Sequence, residues 1–160
     1  MIKHVFIILV TWALRPKYWS KINPVLVIVQ AYHESGNFSS NIFRENNNYF
    51  GMKEPSVRKT KATGTNRGHA TFNSLWDSAK DLFLWFDMFS HVPKLTTMGA
   101  YTEFLRQKSY AEDPIYAQTM QSVYNSIRSK INRLKYVILV LLIPLPIIAV
   151  LLIKRIKKVS

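Results

Sequence analysis

Residues 24–36 read PVLVIVQAYHESG, with Asn23 immediately before them. The segment carries its own punctuation. Asn23 is a good N-cap, Pro24 suits the first helical position because its missing N–H would have no partner there, and Gly36 suits the residue just past a helix end. The spacing predicts a helix over about residues 24–35. Val25, Ile28, Val29 and Tyr32 fall at i, i+3, i+4 and i+7 and form one buried stripe. Glu34 sits in the last turn of this otherwise apolar helix. The negative end of the helix dipole and partial burial both disfavour a carboxylate, so its pKa is expected to be raised, and a carboxyl kept neutral can donate a proton. A solvated glutamate at a helix end is the competing reading, and position alone does not exclude it.

Working outward, the amino-terminal stretch has Lys3 ahead of an apolar run from Val5 to Val10, as in a signal peptide. The run is short, lacks a small-x-small cleavage site, and continues through Trp12, Ala13, Tyr18 and Trp19, so a first helix of the domain is expected instead. Residues 37–72, with the Asn46, Asn47, Asn48 triplet and glycines at 51, 64 and 68, predict loops and a small β-hairpin. Helices resume at Ser74, a cap with Asp77 three residues later; Trp76, Ala79, Leu82, Phe83, Phe86 and Phe89 make the apolar face behind it. A shorter helix covers roughly residues 100–108. The last starts at Asp113 with Pro114, its stripe running Tyr116, Met120, Val123, Ile127, Ile131 and Leu134.

The chain has 160 residues, enough for one domain of ordinary size, and its hydrophobic content of 48% is too high for a disordered chain. Having no cysteine, it has no disulfides, thiolate metal sites or thiol nucleophile. Its formal charge is +13, but residues 1–127 hold 14 basic residues against 9 acidic ones, a balance of +5. The other basic residues bracket residues 137–153, VILVLLIPLPIIAVLLI, 17 residues without a charged or hydrogen-bonding side chain. Such a run predicts a transmembrane helix, kinked at Pro144 and Pro146, whose flanking charges suit anionic headgroups. A bilayer partner through residues 137–153 is therefore expected and nucleic acid is not. The expected organisation is a domain over residues 1–130 followed by a membrane anchor with a basic tail over 131–160, the chain being a single-pass membrane protein. Basic residues on both sides leave the orientation open.

Three blocks then carry a resemblance. The 24–36 segment is similar to the proline-led helix of the glucosaminidase family of peptidoglycan hydrolases, whose pattern ends Gln-Ala-x-x-Glu-Ser-Gly; Gln30, Ala31, Glu34, Ser35 and Gly36 all match. Residues 47–53, NNYFGMK, resemble the family's Asn-Asn-Leu-Phe-Gly-Ile-Lys, and residues 110–117, YAEDPIYA, resemble its Tyr-Ala-x-Asp-Pro-x-Tyr-Ala. Together they cover about residues 5–130. The resemblance implies a lysozyme-like, mostly α (α+β) domain with a cleft, Glu34 as general acid and Tyr110 as a catalytic residue near the reacting sugar. It further implies Gln30, Asn48, Phe50 and Gly51 as substrate-binding residues, a peptidoglycan glycan strand as partner, and no cofactor. Read without the family, Phe50 beside Gly51 makes a sensible sugar platform, a core Phe with a turn Gly being nearly as good an account. Tyr110 could equally be a hydrophobic staple.

Two departures stand out. Asn37 and Phe38 follow Gly36 where the family usually has Trp and Gly. Residues 57–72, the hairpin, contain no Asp or Glu, although many members place a second carboxylate there. Glu45 and Glu54 are the nearest spare carboxylates in sequence, and neither fits the family position. Three mechanisms remain with one acid: attack by the substrate's 2-acetamido oxygen, a water positioned by hydroxyls such as Thr60 or Thr63, or a lytic transglycosylase in which Glu34 acts alone. A wall-binding module without activity and a holin-like membrane protein are the non-enzymatic readings. Arg58, Lys59, Lys61, Arg67 and His69 give the hairpin a basic rim. His33 has no second His at i+4, so no metal site is expected; His4 and His91 have no evident partners.

Overall fold

The structure is a computed structural model that describes residues 1–142, with side-chain surroundings for residues 1–134. In chain order it runs α1 (Ile2–Ala13), α2 (Pro24–Glu34), α3 (Asn41–Asn46), β1 (Ala62–Asn66), β2 (His69–Phe72), α4 (Leu75–Phe86), α5 (Met98–Gln107) and α6 (Tyr116–Leu142). The expected α+β class holds: the described residues form six α-helices, a short 3-10 helix at Pro16–Tyr18 and one two-stranded antiparallel hairpin, with Asn66 paired to His69 beside the turn and a bulge between Ala62 and Gly64.

α2 is the central element. Asn23 Oδ1 accepts from Val25 N, as its N-cap role requires, and every residue from Pro24 to Ala31 is buried. The predicted stripe is thus too narrow, because α1 packs against one side of α2 and α6 against another. Val25, Val27, Ile28 and Val29 are poor helix formers by intrinsic propensity. Burial overrides that preference, at about 1.5–3 kcal/mol per large aliphatic side chain withdrawn from water. α1 belongs to the domain, with Val5, Ile7, Ile8 and Leu9 in the core.

α6 begins at Tyr116, three residues after the expected start: Pro114 and Ile115 form a turn in which Asp113 Oδ1 accepts from Ile115 N and Asp113 O from Tyr116 N. Its stripe is otherwise as read, with Met120, Ile127 and Ile131 buried and Tyr116, Val123 and Leu134 packed at the edge. The helix is continuous across the expected boundary at residue 130. The predicted span over 137–153 lies outside the described residues from 143 onward, and among the described residues no helix is long and apolar enough to cross a membrane. α3 is an addition; its six residues, capped by Ser40, are too few for a periodicity signal.

A buried ion pair fastens the chain between the turn at Gly51 and β1 to α4. Asp81, fully buried in α4, accepts from Arg58 Nη1 and Nη2 at 3.2 and 2.6 Å, Thr60 Oγ1 at 2.8 Å and Lys61 N at 2.7 Å. Arg58 and Thr60 are thereby withdrawn from the expected roles: the guanidinium is neutralised, and the Thr60 hydroxyl holds Asp81. Arg67 is exposed but paired with Glu45, and Lys59 and Lys61 are exposed as well. Asp81→Ala strands a buried guanidinium and should cost about 3–5 kcal/mol in urea unfolding, whereas Arg58→Met combined with Asp81→Leu should cost much less.

Candidate active site

Glu34 is placed by the way α2 ends. Gly36 N donates to His33 O and Asn37 N donates to Tyr32 O, the paired bonds of a Schellman closure, with Gly36 at φ +56°. A Cβ at Gly36 would meet Ser40 Cβ at 3.3 Å, so this position takes glycine for space as well as for conformation. Asn37 and Phe38 continue in the left-handed region at φ +60° and +63°, and Ser35 Oγ accepts from Phe38 N. Phe38 therefore turns away from the cleft. It stacks on His4 at 4.3 Å and packs beside Tyr32, Phe43 and Tyr49. His4 does have a partner, Tyr49 Oη at 2.8 Å, and burial among these rings lowers its pKa to about 4.

The Glu34 carboxyl is half-buried and opens into a cleft of about 520 Å³. Burial raises its pKa; a hydrogen bond from Tyr116 Oη to Oε1 at 2.8 Å, and the nearby His33 and His69, pull the other way without cancelling the shift. Burial is one of the two causes anticipated from the sequence. Tyr116 and Tyr110 both have pKa values pushed up, first by burial and then by the Glu34 charge, so they stay protonated and act as donors. Tyr110 lines the cleft and donates to the Phe50 carbonyl at 2.6 Å.

The opposite wall is built by the asparagine triplet. Asn46 Nδ2 reaches Asn66 O and His69 O, and Asn47 Nδ2 reaches Phe72 O, binding α3 to the hairpin. Asn48 Nδ2 donates to Met52 O and Ala70 O, while its Oδ1 accepts from Phe50 N and Met52 N. These bonds shape the Phe50, Gly51, Met52 turn. Gly51 has φ +61°, and an added Cβ would lie 3.6 Å from Glu34 Oε2, so glycine keeps the space beside the acid open. Its carbonyl accepts from His69 Nδ1 at 2.8 Å, which fixes the proton on that nitrogen because a carbonyl can only accept.

The expected substrate-binding set is divided accordingly. Gly51 faces the cleft. Asn48 has both amide hydrogens and its oxygen engaged internally, leaving it no capacity for a sugar. The Phe50 ring is buried, so it is no stacking platform, and its backbone carbonyl is the group that meets Tyr110. Gln30 is fully buried beneath Glu34; its Oε1 accepts from Tyr101 Oη at 2.6 Å, and its side chain also acts on the Tyr110 phenol, holding down the pKa that burial raises. Thr63 bonds across the hairpin to Thr71 and does not line the cleft. Tyr116 was missed as a site residue. It is the second tyrosine of YAEDPIYA and the first residue of α6, so its apolar periodicity accounts for it without any functional role.

A profile described as mannosyl-glycoprotein endo-beta-N-acetylglucosaminidase, of the glucosaminidase family, matches residues 15–129. The chain belongs to this glucosaminidase family. Glucosaminidases are glycoside hydrolases, and all three quoted blocks fall within the matched residues. Protein bax of Escherichia coli (strain K12) is 33% identical over 84 residues, 52% of this chain and 27% of that protein, so the match spans about a quarter of that relative. Among solved structures, a chain in a type VI secretion system effector-immunity complex from Pseudomonas protegens superposes with a TM-score of 0.62 at 19% identity, covering 82% of this chain and 95% of that one. At that identity the likeness establishes the fold.

In this glucosaminidase domain the Tyr116 phenol opposes the effect of burial on Glu34. Tyr116→Phe should raise the Glu34 pKa further, which a titration of its carboxyl carbon by NMR would read as a midpoint at higher pH. Folding raises the Glu34 pKa, so the native state is favoured below the ordinary carboxylate range and loses that advantage as pH rises through the raised value. Glu34→Gln should therefore be more stable than wild type at neutral pH, with the gain vanishing below about pH 4 in denaturation curves.

Proposed function

We propose that this chain cleaves the β-1,4 glycan backbone of peptidoglycan at N-acetylglucosamine, with Glu34 as the general acid. The observation that carries the reading is a carboxyl whose pKa is raised by burial, opening into a cleft whose glycine wall leaves the space beside it free. A protonated Glu34 delivers its proton to the glycosidic oxygen as the bond to the anomeric carbon breaks. Tyr116 orients the carboxyl by holding Oε1 and leaves Oε2 towards Gly51. Tyr110 ties the two walls through the Phe50 carbonyl and acts on the substrate's position rather than as a base. Lys53 on the cleft wall suits the carboxylates of the lactyl and peptide groups that such a glycan bears.

The reading extends to attachment at a membrane through residues 137–153, with the domain facing the wall; its support is the uncharged apolar run itself. Wild-type protein should clear purified wall in a zymogram. Glu34→Gln should lose at least about a hundredfold in rate while melting cooperatively. Unchanged clearing by that variant, or no clearing by wild type, would overturn the proposal. Mass spectrometry of the fragments should show a reducing end at N-acetylglucosamine rather than a 1,6-anhydro sugar or a cut peptide stem. The full chain should stay with membranes through an alkaline carbonate wash, and a chain ending at residue 136 should still cut soluble glycan fragments.

A further inference from the structure

The hairpin has no carboxylate, yet the cleft is not short of them: Glu54 and Glu112 line it together with Glu34. Glu45 is elsewhere, paired with Arg67. We infer that Glu54 is the second catalytic carboxylate of this cleft, taking a proton from the water that attacks the anomeric carbon while Glu34 protonates the departing oxygen. The inference rests on the hydrolase reading above and names the partner that reading lacks.

Position and rigidity distinguish Glu54 from Glu112. Glu54 follows three residues after Gly51, the residue that faces Glu34 Oε2, so its Cα lies within about 11 Å of the Gly51 Cα. Thr65 Oγ1, from β1, donates to Glu54 Oε2 at 2.7 Å, which aims the carboxylate and leaves Oε1 free for a water. The segment bearing it is pinned at both ends. On one side Met52 is held by Asn48 and by Ala70 N; on the other Arg58, Thr60 and Lys61 are held by the buried Asp81. A group fixed in this way can be preorganised for catalysis. Both side chains are exposed, but Glu112 lies on the connection between α5 and α6, and no hydrogen bond to its carboxylate is found among the described residues.

In the step assigned here the water oxygen bonds to the anomeric carbon from the face opposite the leaving group, and its proton passes to Glu54. The carbon–oxygen bond of the glycoside breaks with its electron pair going to the leaving oxygen, which takes the Glu34 proton. Both carboxyls then return to their starting states by exchange with solvent. Attack from the opposite face inverts the configuration, so a β-glycoside yields an α product first.

The test uses the full chain on purified glycan strands, with Glu34→Gln, Glu54→Gln, Glu54→Ala and Glu112→Gln beside wild type. Glu54→Gln should lower kcat about a hundredfold or more with KM changed only a few-fold, and Glu112→Gln should lower kcat far less than Glu54→Gln does. Sodium azide should restore turnover to Glu54→Ala and give the α-glycosyl azide. Proton NMR of the wild-type reaction should show the α anomer first, a readout that does not depend on any variant folding. A β anomer first, a 1,6-anhydro product, or Glu54→Gln within tenfold of wild type would overturn the assignment. If Glu34→Gln is inactive in the same series, the hydrolase reading survives that result; if wild type does not cleave, both fall.

Discussion

A carboxyl group withdrawn from water at the end of a buried helix must be held there against its own tendency to be hydrated. Here the holding is done by α2, whose residues from Pro24 to Ala31 are all buried, and by the Schellman closure at Ser35 and Gly36 that ends it. A helix free to fray or rotate would let Glu34 reach solvent, and its raised pKa would fall back to the ordinary range. The phenol of Tyr116 contributes direction. It favours the charged form of Glu34, so the carboxyl is balanced between burial and a hydrogen bond rather than simply hidden.

The facing wall uses a different device. The side chains of Tyr49, Phe50 and Met52 pack this loop into the core, and saturated polar side chains fix its backbone. Asn48 spends its whole hydrogen-bonding capacity on the turn at Gly51, Asn46 and Asn47 join the hairpin to α3, and Asp81 gathers Arg58, Thr60 and Lys61 onto α4. Each network is buried and satisfied, the condition under which polar groups rigidify a structure rather than weaken it. The bond from Tyr110 to the Phe50 carbonyl then links this wall to the chain leading into α6.

Much of this was legible in the chain. Asn23, Pro24 and Gly36 mark the ends of α2 because capping and left-handed closure depend on residue type at single positions, and the Ser74 and Asp77 pair marks the start of α4 in the same way. Glu34 stood out because a lone carboxylate on an apolar helix is chemically unusual. The functional labels on Asn48, Phe50 and Gln30 were not legible, since a motif does not say whether a side chain faces the cleft or the core behind it. The Asp81 network was hidden because a single acid on an amphipathic helix gives no sign that an arginine 23 residues away will bury it.

The sequence by itself determined every α-helix but α3, the hairpin, the family and the place of Glu34 at the end of α2, all of which depend on short-range pattern or on residues adjacent in the chain. Only the tertiary structure decided which groups surround that acid. Tyr116 is 82 residues from Glu34 and Tyr110 is 60 from Phe50, and Glu54 comes to share their cleft through the fold. Such meetings are fixed by how helices and hairpin pack, and packing is a property of all the contacting surfaces at once rather than of any one segment.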